Sequence, residues 1–392
     1  MLGVWNKIAV MIARKIERYV RRVAESYPVV TITGPRQSGK TTLARMLFPD
    51  YAYCNLEAAD VLMAARADPR SFLDFGEKRM VIDEIQRFPE LLTYVQEIVD
   101  QRGEKGQFVI TGSHQPALGA AVNESLAGRT GICELLPFSL EELGGVASGG
   151  FRRDECLWRG FMPRHYDDGI DPVMLYRDYF RTYVERDVRT LVNIQDLDSF
   201  TVFMRLLAGR VGQLLNKESL ARDVGVSVPT VLRWLNVLEA SYVIHRLRPY
   251  HNNFGKRQTK SPKIYFTDVG LATYLLGIRE PGQLAFHPLV GELFENMVVM
   301  EAVKNRLNAG EEPDLWFYRN SSGSIEVDLL IEQAGRLKLR EVKCSATYHA
   351  DMSRHLAQLS GLAANVDSAL VVYSGETHPG VAVHFAETES WM

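Results

Sequence analysis

Residues Gly34-Pro35-Arg36-Gln37-Ser38-Gly39-Lys40-Thr41-Thr42 follow an apolar run, Val29–Thr33, and lead into a helical pattern ending near Leu47. Small residues ahead of a Lys-Thr pair let backbone N–H groups curl inward around an anion, and the positive end of the next helix faces the same point. In such a loop Lys40 reaches the β- and γ-phosphates of a nucleoside triphosphate, and the Thr41 hydroxyl holds Mg²⁺. Further on, Met80-Val81-Ile82-Asp83-Glu84 reads as a buried strand ending in two carboxylates. Asp83 sits where an outer contact to the magnesium is needed, and Glu84 where a base polarises the attacking water. The loop motif alone is a weak signal; joined to a strand that ends in Asp-Glu it is specific. A base in this position argues for hydrolysis rather than nucleotide sensing.

Those side chains need a sheet to converge. Residues 28–137 alternate apolar runs with helical stretches, which predicts strands at 28–33, 51–55, 79–83, 107–112 and 132–136. Alternation of this kind implies an α/β unit with a parallel sheet and helices on both faces. Ligands bind at the carboxyl ends of such strands, where Lys40 and Asp83 fall. Ser113, just past the fourth strand, is a candidate γ-phosphate sensor or else a turn residue. Arg129, just before the fifth, either reaches a neighbour's nucleotide or pairs within the chain; the first role requires a dimer or ring. From Pro137 the pattern turns helical, at 138–144, 155–162, 172–194 and 196–212, as a lid would. Arg181 and Arg186 are candidates there for a second nucleotide-sensing arginine. Residues 8–26 read as an amphipathic helix with Ile8, Ile12, Ile16, Tyr19 and Val23 on one stripe. Arg14, Lys15, Arg18, Arg21 and Arg22 are expected on its solvated face, with contact to DNA or anionic lipid as the alternative.

Residues 213–250 form a different pattern. Asn216 caps a helix over 217–223, Gly225-Val226-Ser227 turns, and 228–239 form a second helix with Val231, Leu235 and Leu238 inward. A strand at 242–247 follows, giving helix, turn, helix and wing. Ser227, Thr230, Arg233 and Trp234 would then face a DNA groove, and Lys256, Arg257 and Lys260 in the next loop would meet phosphates, although a winged helix serves protein contacts equally well. The recognition helix carries a single arginine, which argues against tight sequence readout. Further on, a helix over 290–308 carries Glu295, and strands at 324–331 and 337–343 carry Asp328, Glu341 and Lys343. Glu341 and Lys343 share a face because strand side chains repeat every two residues. Carboxylates and a lysine so placed can hold Mg²⁺ and activate water against a phosphodiester, or they can form a salt-bridged sheet edge.

Composition narrows the partners. The net charge of −3 gives no global basic field, so any nucleic-acid contact is a local patch. Cys54, Cys133, Cys156 and Cys344 form no C-x-x-C pair, which argues against a zinc ribbon and suits a reducing, cytoplasmic setting. No apolar run is long enough for a membrane span, and the start is a poor secretory signal.

The full order of motifs resembles a widespread prokaryotic family of AAA-type ATPases. Its markers are residues 33–42, Val81–Gln86, Leu126-Ala127-Gly128-Arg129, Tyr183-Val184-Glu185-Arg186-Asp187, Lys263–Ala272, Gly291–Asn296 and Glu326–Leu330. The C-terminal part is similar to the restriction-endonuclease-like, PD-(D/E)xK, superfamily. The expected organisation is an AAA+ nucleotide-binding domain (1–137), a helical lid (138–212), a winged helix with a basic loop (213–285) and a nuclease-like α/β domain (286–392). The resemblance implies ATP and Mg²⁺ at Lys40, Thr41, Asp83 and Glu84, a homo-oligomeric ring such as a hexamer, and Arg129 as its finger. On the nuclease side, Glu295, Asp328, Glu341 and Lys343 match the expected types. Three functions compete: an ATP-driven machine acting on DNA, branched or recombining DNA included; an ATP-gated, metal-dependent nuclease; and a signalling ATPase acting on protein partners.

Overall fold

The computed structural model describes residues 12–74, 79–113, 122, 124–144, 150–184, 197–250 and 261–392. Its N-terminal sheet has five strands, β1 (Val29–Thr33), β2 (Ala52–Asn55), β3 (Met80–Asp83), β4 (Phe108–Thr111) and β5 (Thr130–Glu134). All pair in parallel in the order β2-β3-β4-β1-β5. β1, β3 and β4 are buried on both faces, which is why they read as unbroken apolar runs. One apolar cluster covers each face of this sheet. β5 opens two residues earlier than expected. Gly131 lies within it, where the N-terminal helix approaches so closely that a Cβ would fall 2.4 Å from Val23 Cγ1. That helix spans Glu17–Ser26, shorter than the expected 8–26: residues 12–14 are not helical, and 1–11 lie outside the described residues.

The helical region that follows includes Leu140–Leu143, Arg153–Arg159, Pro163–Asp167, Pro172–Tyr179 and Leu197–Ala208. Ser139 and Glu142 close a capping box on the first. Gly160 ends the second with φ 63°, and a Cβ there would meet the Tyr176 hydroxyl at 2.0 Å. The expected helix over 172–194 changes pitch: a single π-turn, Phe180–Val184, follows Tyr179, and 185–196 lie outside the described residues.

Two helices, Lys217–Val224 and Val228–Ala240, are then joined by a tight turn. Asn216 and Ser227 cap them by accepting from Ser219 N and Thr230 N, and Gly225 leaves the first with φ 82°. An antiparallel pair follows, β6 (Ile244–Pro249) and β7 (Lys263–Phe266). β6 also pairs in parallel with β8 (Leu315–Arg319), Arg248 against Trp316 and Pro249 against Phe317. The sheet therefore runs across the expected 285/286 boundary, continuing through β9 (Glu326–Gln333), β10 (Arg336–Lys343), β11 (Val366–Tyr373) and β12 (Ala382–His384) in the order β12-β11-β10-β9-β8-β6-β7. Ala334 and Gly335, both at positive φ, make the two-residue turn between β9 and β10. The helix Val290–Ala309 is buried along most of its length. One continuous apolar core joins it to the helices between Leu140 and Ala208, the helix pair and β7.

Candidate nucleotide site and C-terminal ion cluster

β1 delivers the chain to Gly34, whose φ of 146° and contact with Leu135 leave no room for a side chain: a Cβ would lie 2.1 Å from Leu135 O. Gln37 and Gly39 also take positive φ, and Gly39 caps the helix Lys40–Leu47. The loop thus curls back over its own helix start. Lys40 is buried and its Nζ donates to Gly34 O (3.1 Å) and Pro35 O (2.7 Å). Burial pulls its pKa down to about 8, against the pull of Glu84 and Asp83.

Thr41 Oγ1 donates to both Asp83 oxygens, at 3.1 and 2.9 Å. The same carboxylate accepts from Tyr53 OH (2.7 Å) on β2 and from Thr111 Oγ1 on β4. Three neighbouring elements thereby hold Asp83 in one orientation beside Thr41. Glu84 sits in the left-handed region at φ 59°, and Gln86 Nε2 donates to its Oε2. Burial raises the Glu84 pKa, with Lys40 acting against it. A cleft of about 430 Å³ opens here, lined by Arg36, Gln37, Gly39, Lys40, Thr41, Thr42 and Glu84 on one side. Pro163, Arg164, Asp167 and Thr182, from the helical region after β5, line the other.

A triphosphate with Mg²⁺ suits this geometry. Ser38 Oγ is buried with no hydrogen-bond partner among the described residues, and the loop's curvature rests on backbone angles that disfavour side chains. Pro35 and Gly34 supply carbonyls that hold the Lys40 ammonium at the cleft. Ser113 is buried, its Oγ likewise without a partner among the described residues, but it does not line the cleft. Arg181 is exposed and Arg186 lies outside the described residues, whereas Arg164 lines the cleft.

Arg14 was expected in solvent and is buried instead. Its guanidinium donates to Ser38 O (2.8 Å), Leu136 O (2.6 Å) and Glu142 Oε1 (3.0 Å), and lies 4.8 Å from the Phe138 ring centroid. It therefore ties the phosphate loop to the segment leaving β5. No local pattern marks it, since its partners are remote in sequence. Tyr242 was likewise missed: its hydroxyl lies 3.2 Å from Thr33 Oγ1, at the root of the loop. Arg129 forms a two-pronged pair with Asp100, at 2.6 and 2.8 Å, at the end of β5 away from the phosphate loop.

Residues 26–144 match the family model of an AAA domain. Two further models, each of a domain of unknown function, match residues 151–282 (DUF8612) and 290–386 (DUF4143). The uncharacterized protein Rv2008c of Mycobacterium tuberculosis is 34% identical over 365 residues, which cover 91% of this chain and 79% of that protein. The chain belongs to the same family, and its N-terminal unit is of the AAA type. Among solved structures, the Walker-type ATPase PABY2304 of Pyrococcus abyssi is similar at 15% identity and a TM-score of 0.44, covering 67% of this chain and 94% of that one. The RuvB protein of Thermotoga maritima is similar at 19% identity and a TM-score of 0.29, covering 59% and 88%. Both scores lie below 0.5 and carry no argument about this chain.

Beyond the AAA domain, Ser227 and Arg233 are exposed and Thr230 half-buried, with Arg233 Nη2 3.5 Å from Thr230 Oγ1. Trp234, expected beside them, is buried against Phe200 and Phe203 at centroid distances of 5.3 and 5.1 Å. On a helix that packs by one broad stripe, position 234 falls with Val231, Leu235 and Leu238. Lys256, Arg257 and Lys260 lie outside the described residues. In the C-terminal region Glu295 and Asp328 meet at Lys263, which the sequence places at the end of the basic loop rather than in this cluster, while Glu341 and Lys343 pair with each other. Lys263 Nζ lies 2.9 Å from Glu295 Oε1, 2.8 Å from Glu326 Oε1 and 3.4 Å from Asp328 Oδ1. Burial works against that ammonium, but Glu295, Tyr265, Asp328 and Glu326 outweigh it and hold its pKa well above the ordinary value. Burial raises the Glu341 pKa, helped by Asp328, while Lys343 Nζ donates to Glu341 Oε1 at 2.6 Å. Among the described residues no three His, Cys, Asp or Glu side chains are arranged to hold a metal. Nor is any described helix long and apolar enough to cross a membrane.

Proposed function

We propose that the chain is an ATP-hydrolysing AAA machine that couples turnover to DNA engagement. The observation that carries it is the Thr41–Asp83 contact at 2.9 Å beside the buried Lys40 ammonium. Bound Mg²⁺ would neutralise charge building on the β- and γ-phosphate oxygens. Thr41 would hold that ion, with Asp83 behind it, and Lys40 would face the phosphate oxygens. Glu84 orients and deprotonates the attacking water, a role suited by a pKa lifted through burial. Arg164, from the lid, closes over the triphosphate.

DNA engagement falls to a winged-helix unit: Ser227, Thr230 and Arg233 on the outer face of Val228–Ala240, with Lys256, Arg257 and Lys260 as phosphate contacts. Tyr242 supports the coupling, since it follows that helix directly and its hydroxyl meets Thr33 at the start of the phosphate loop. Subunit association belongs to the same reading, with Arg129 exchanging Asp100 for a neighbour's nucleotide. The test is the ATPase rate alone and with duplex, single-stranded and four-way DNA. Stimulation by one of them that Arg233→Ala weakens supports the coupling. Turnover without binding or stimulation by any DNA removes the DNA half and leaves the ATPase.

A further inference from the structure

We infer that the Lys263 ammonium is the resident cation of the C-terminal carboxylate cluster and fills the place a divalent ion would take in a restriction-endonuclease-like nuclease. Its side chain is 4% exposed and ion-paired to three carboxylates, Glu295 from the helix Val290–Ala309 and Glu326 and Asp328 from β9. An ammonium has three N–H donors and no acceptor, which matches three carboxylate oxygens at hydrogen-bonding distance. Magnesium instead demands oxygen ligands near 2.0–2.1 Å in octahedral array, usually with retained waters.

Three of the other carboxylate oxygens are also committed. Asp328 Oδ2 accepts from Val342 N at 2.9 Å, Glu341 Oε1 from Lys343, and Glu326 Oε2 from Arg319 at 2.9 Å. Only Glu341 Oε2 is buried without a partner among the described residues. Glu295, Glu326 and Asp328 thus face Lys263 and Arg319, and Glu341, whose charge burial disfavours, faces Lys343, so the cluster is close to charge balance without a metal. A doubly charged ion would overfill the cluster and crowd the ammonium.

Lys263 also enters the cluster from a fixed backbone position. Its backbone is paired with Leu247 on β6 and bridged to Leu214, and Leu215 N donates to the Pro262 carbonyl beside it. The cluster therefore works as an internal latch between β7, β9 and the long helix, and this unit takes up no magnesium and cleaves no phosphodiester.

The test is Mn²⁺ titration of the full chain without nucleotide, read by electron paramagnetic resonance of free Mn²⁺, with Asp328→Asn reporting on the cluster. Wild type and Asp328→Asn should bind the same amount. Lys263→Ala should gain one site, lost again when Asp328→Asn is added, and Mn²⁺ should raise its melting temperature but not that of wild type. Should Lys263→Ala not fold, Lys263→Met keeps the apolar stem and serves in its place. A wild-type Mn²⁺ site that Asp328→Asn removes overturns the inference. So does Mn²⁺-dependent plasmid cleavage by wild type that the same substitution abolishes, or a folded Lys263 variant with no gained site.

Discussion

Replacing Arg14 with alanine is expected to cost about 3–5 kcal/mol, the range for breaking a buried ion pair from one side. Glu142, almost wholly buried, would keep only the N–H groups of Lys15 and Ser139 as donors. The carbonyls of Ser38 and Leu136 would each lose a charged donor. An unmet buried polar group costs about 1–3 kcal/mol, a sum that overlaps the ion-pair figure rather than adding to it. A solvated arginine, by contrast, is worth within about 0.5 kcal/mol. Urea unfolding of Arg14→Ala, Glu142→Ala and the double variant separates the pair from its surroundings. The double variant should be less destabilised than the sum of the singles by about 2 kcal/mol. Since Ser38 belongs to the phosphate loop, ATP should also bind Arg14→Ala about tenfold more weakly, a change of about 1.4 kcal/mol, measured by calorimetry well below its melting point. An Arg14→Ala protein as stable as wild type, or strictly additive singles, would refute this account of what holds the loop.

Glu84→Gln should bind ATP normally and turn it over about 10²–10⁴-fold more slowly, as loss of a general base requires; an unchanged single-turnover rate removes Glu84 from that role. Lys40 titrates near pH 8 in the folded, nucleotide-free chain against 10.5 ordinarily. Between those values the unfolded chain carries the extra proton, so stability should rise with pH across the window and the rise should vanish in Lys40→Met. ATP affinity should move the opposite way, falling as pH passes about 8 and the ammonium is lost. Trp234→Ala should cost about 3–5 kcal/mol as a core truncation. The folded fraction of that variant should bind DNA like wild type, measured by fluorescence anisotropy; a selective loss of DNA binding in a fully stable variant would return Trp234 to the groove.

The phosphate loop and the Asp-Glu strand were legible because the chemistry demands fixed residue types at short spacing. Gly34, Lys40 and Thr41 bound one short loop between β1 and the helix Lys40–Leu47, and Asp83 and Glu84 stand at the end of one apolar run. The parallel strands were legible because burial on both faces leaves an unbroken apolar signal, as in Val29–Thr33 and Met80–Asp83. Asn216, Ser227 and Gly225 act within a few residues of themselves, so the helix pair was also local information. Trp234 misled because an aromatic next to an arginine fits a groove face as readily as a broad apolar stripe, and only Phe200 and Phe203 decide between them.

What tertiary structure alone decided are the pairings between distant segments. Arg14 looked like one more charge on a basic helix until Ser38, Leu136 and Glu142 were brought around it. Tyr53, a half-exposed strand tyrosine, became a support for Asp83 only when β2 and β3 paired. Lys263 shows the gap most sharply. Residue types group Glu295, Asp328, Glu341 and Lys343 as one candidate site, yet the charge between Glu295 and Asp328 comes from β7. Residue type determines what a side chain can bind; the fold determines which opposite charge reaches it first.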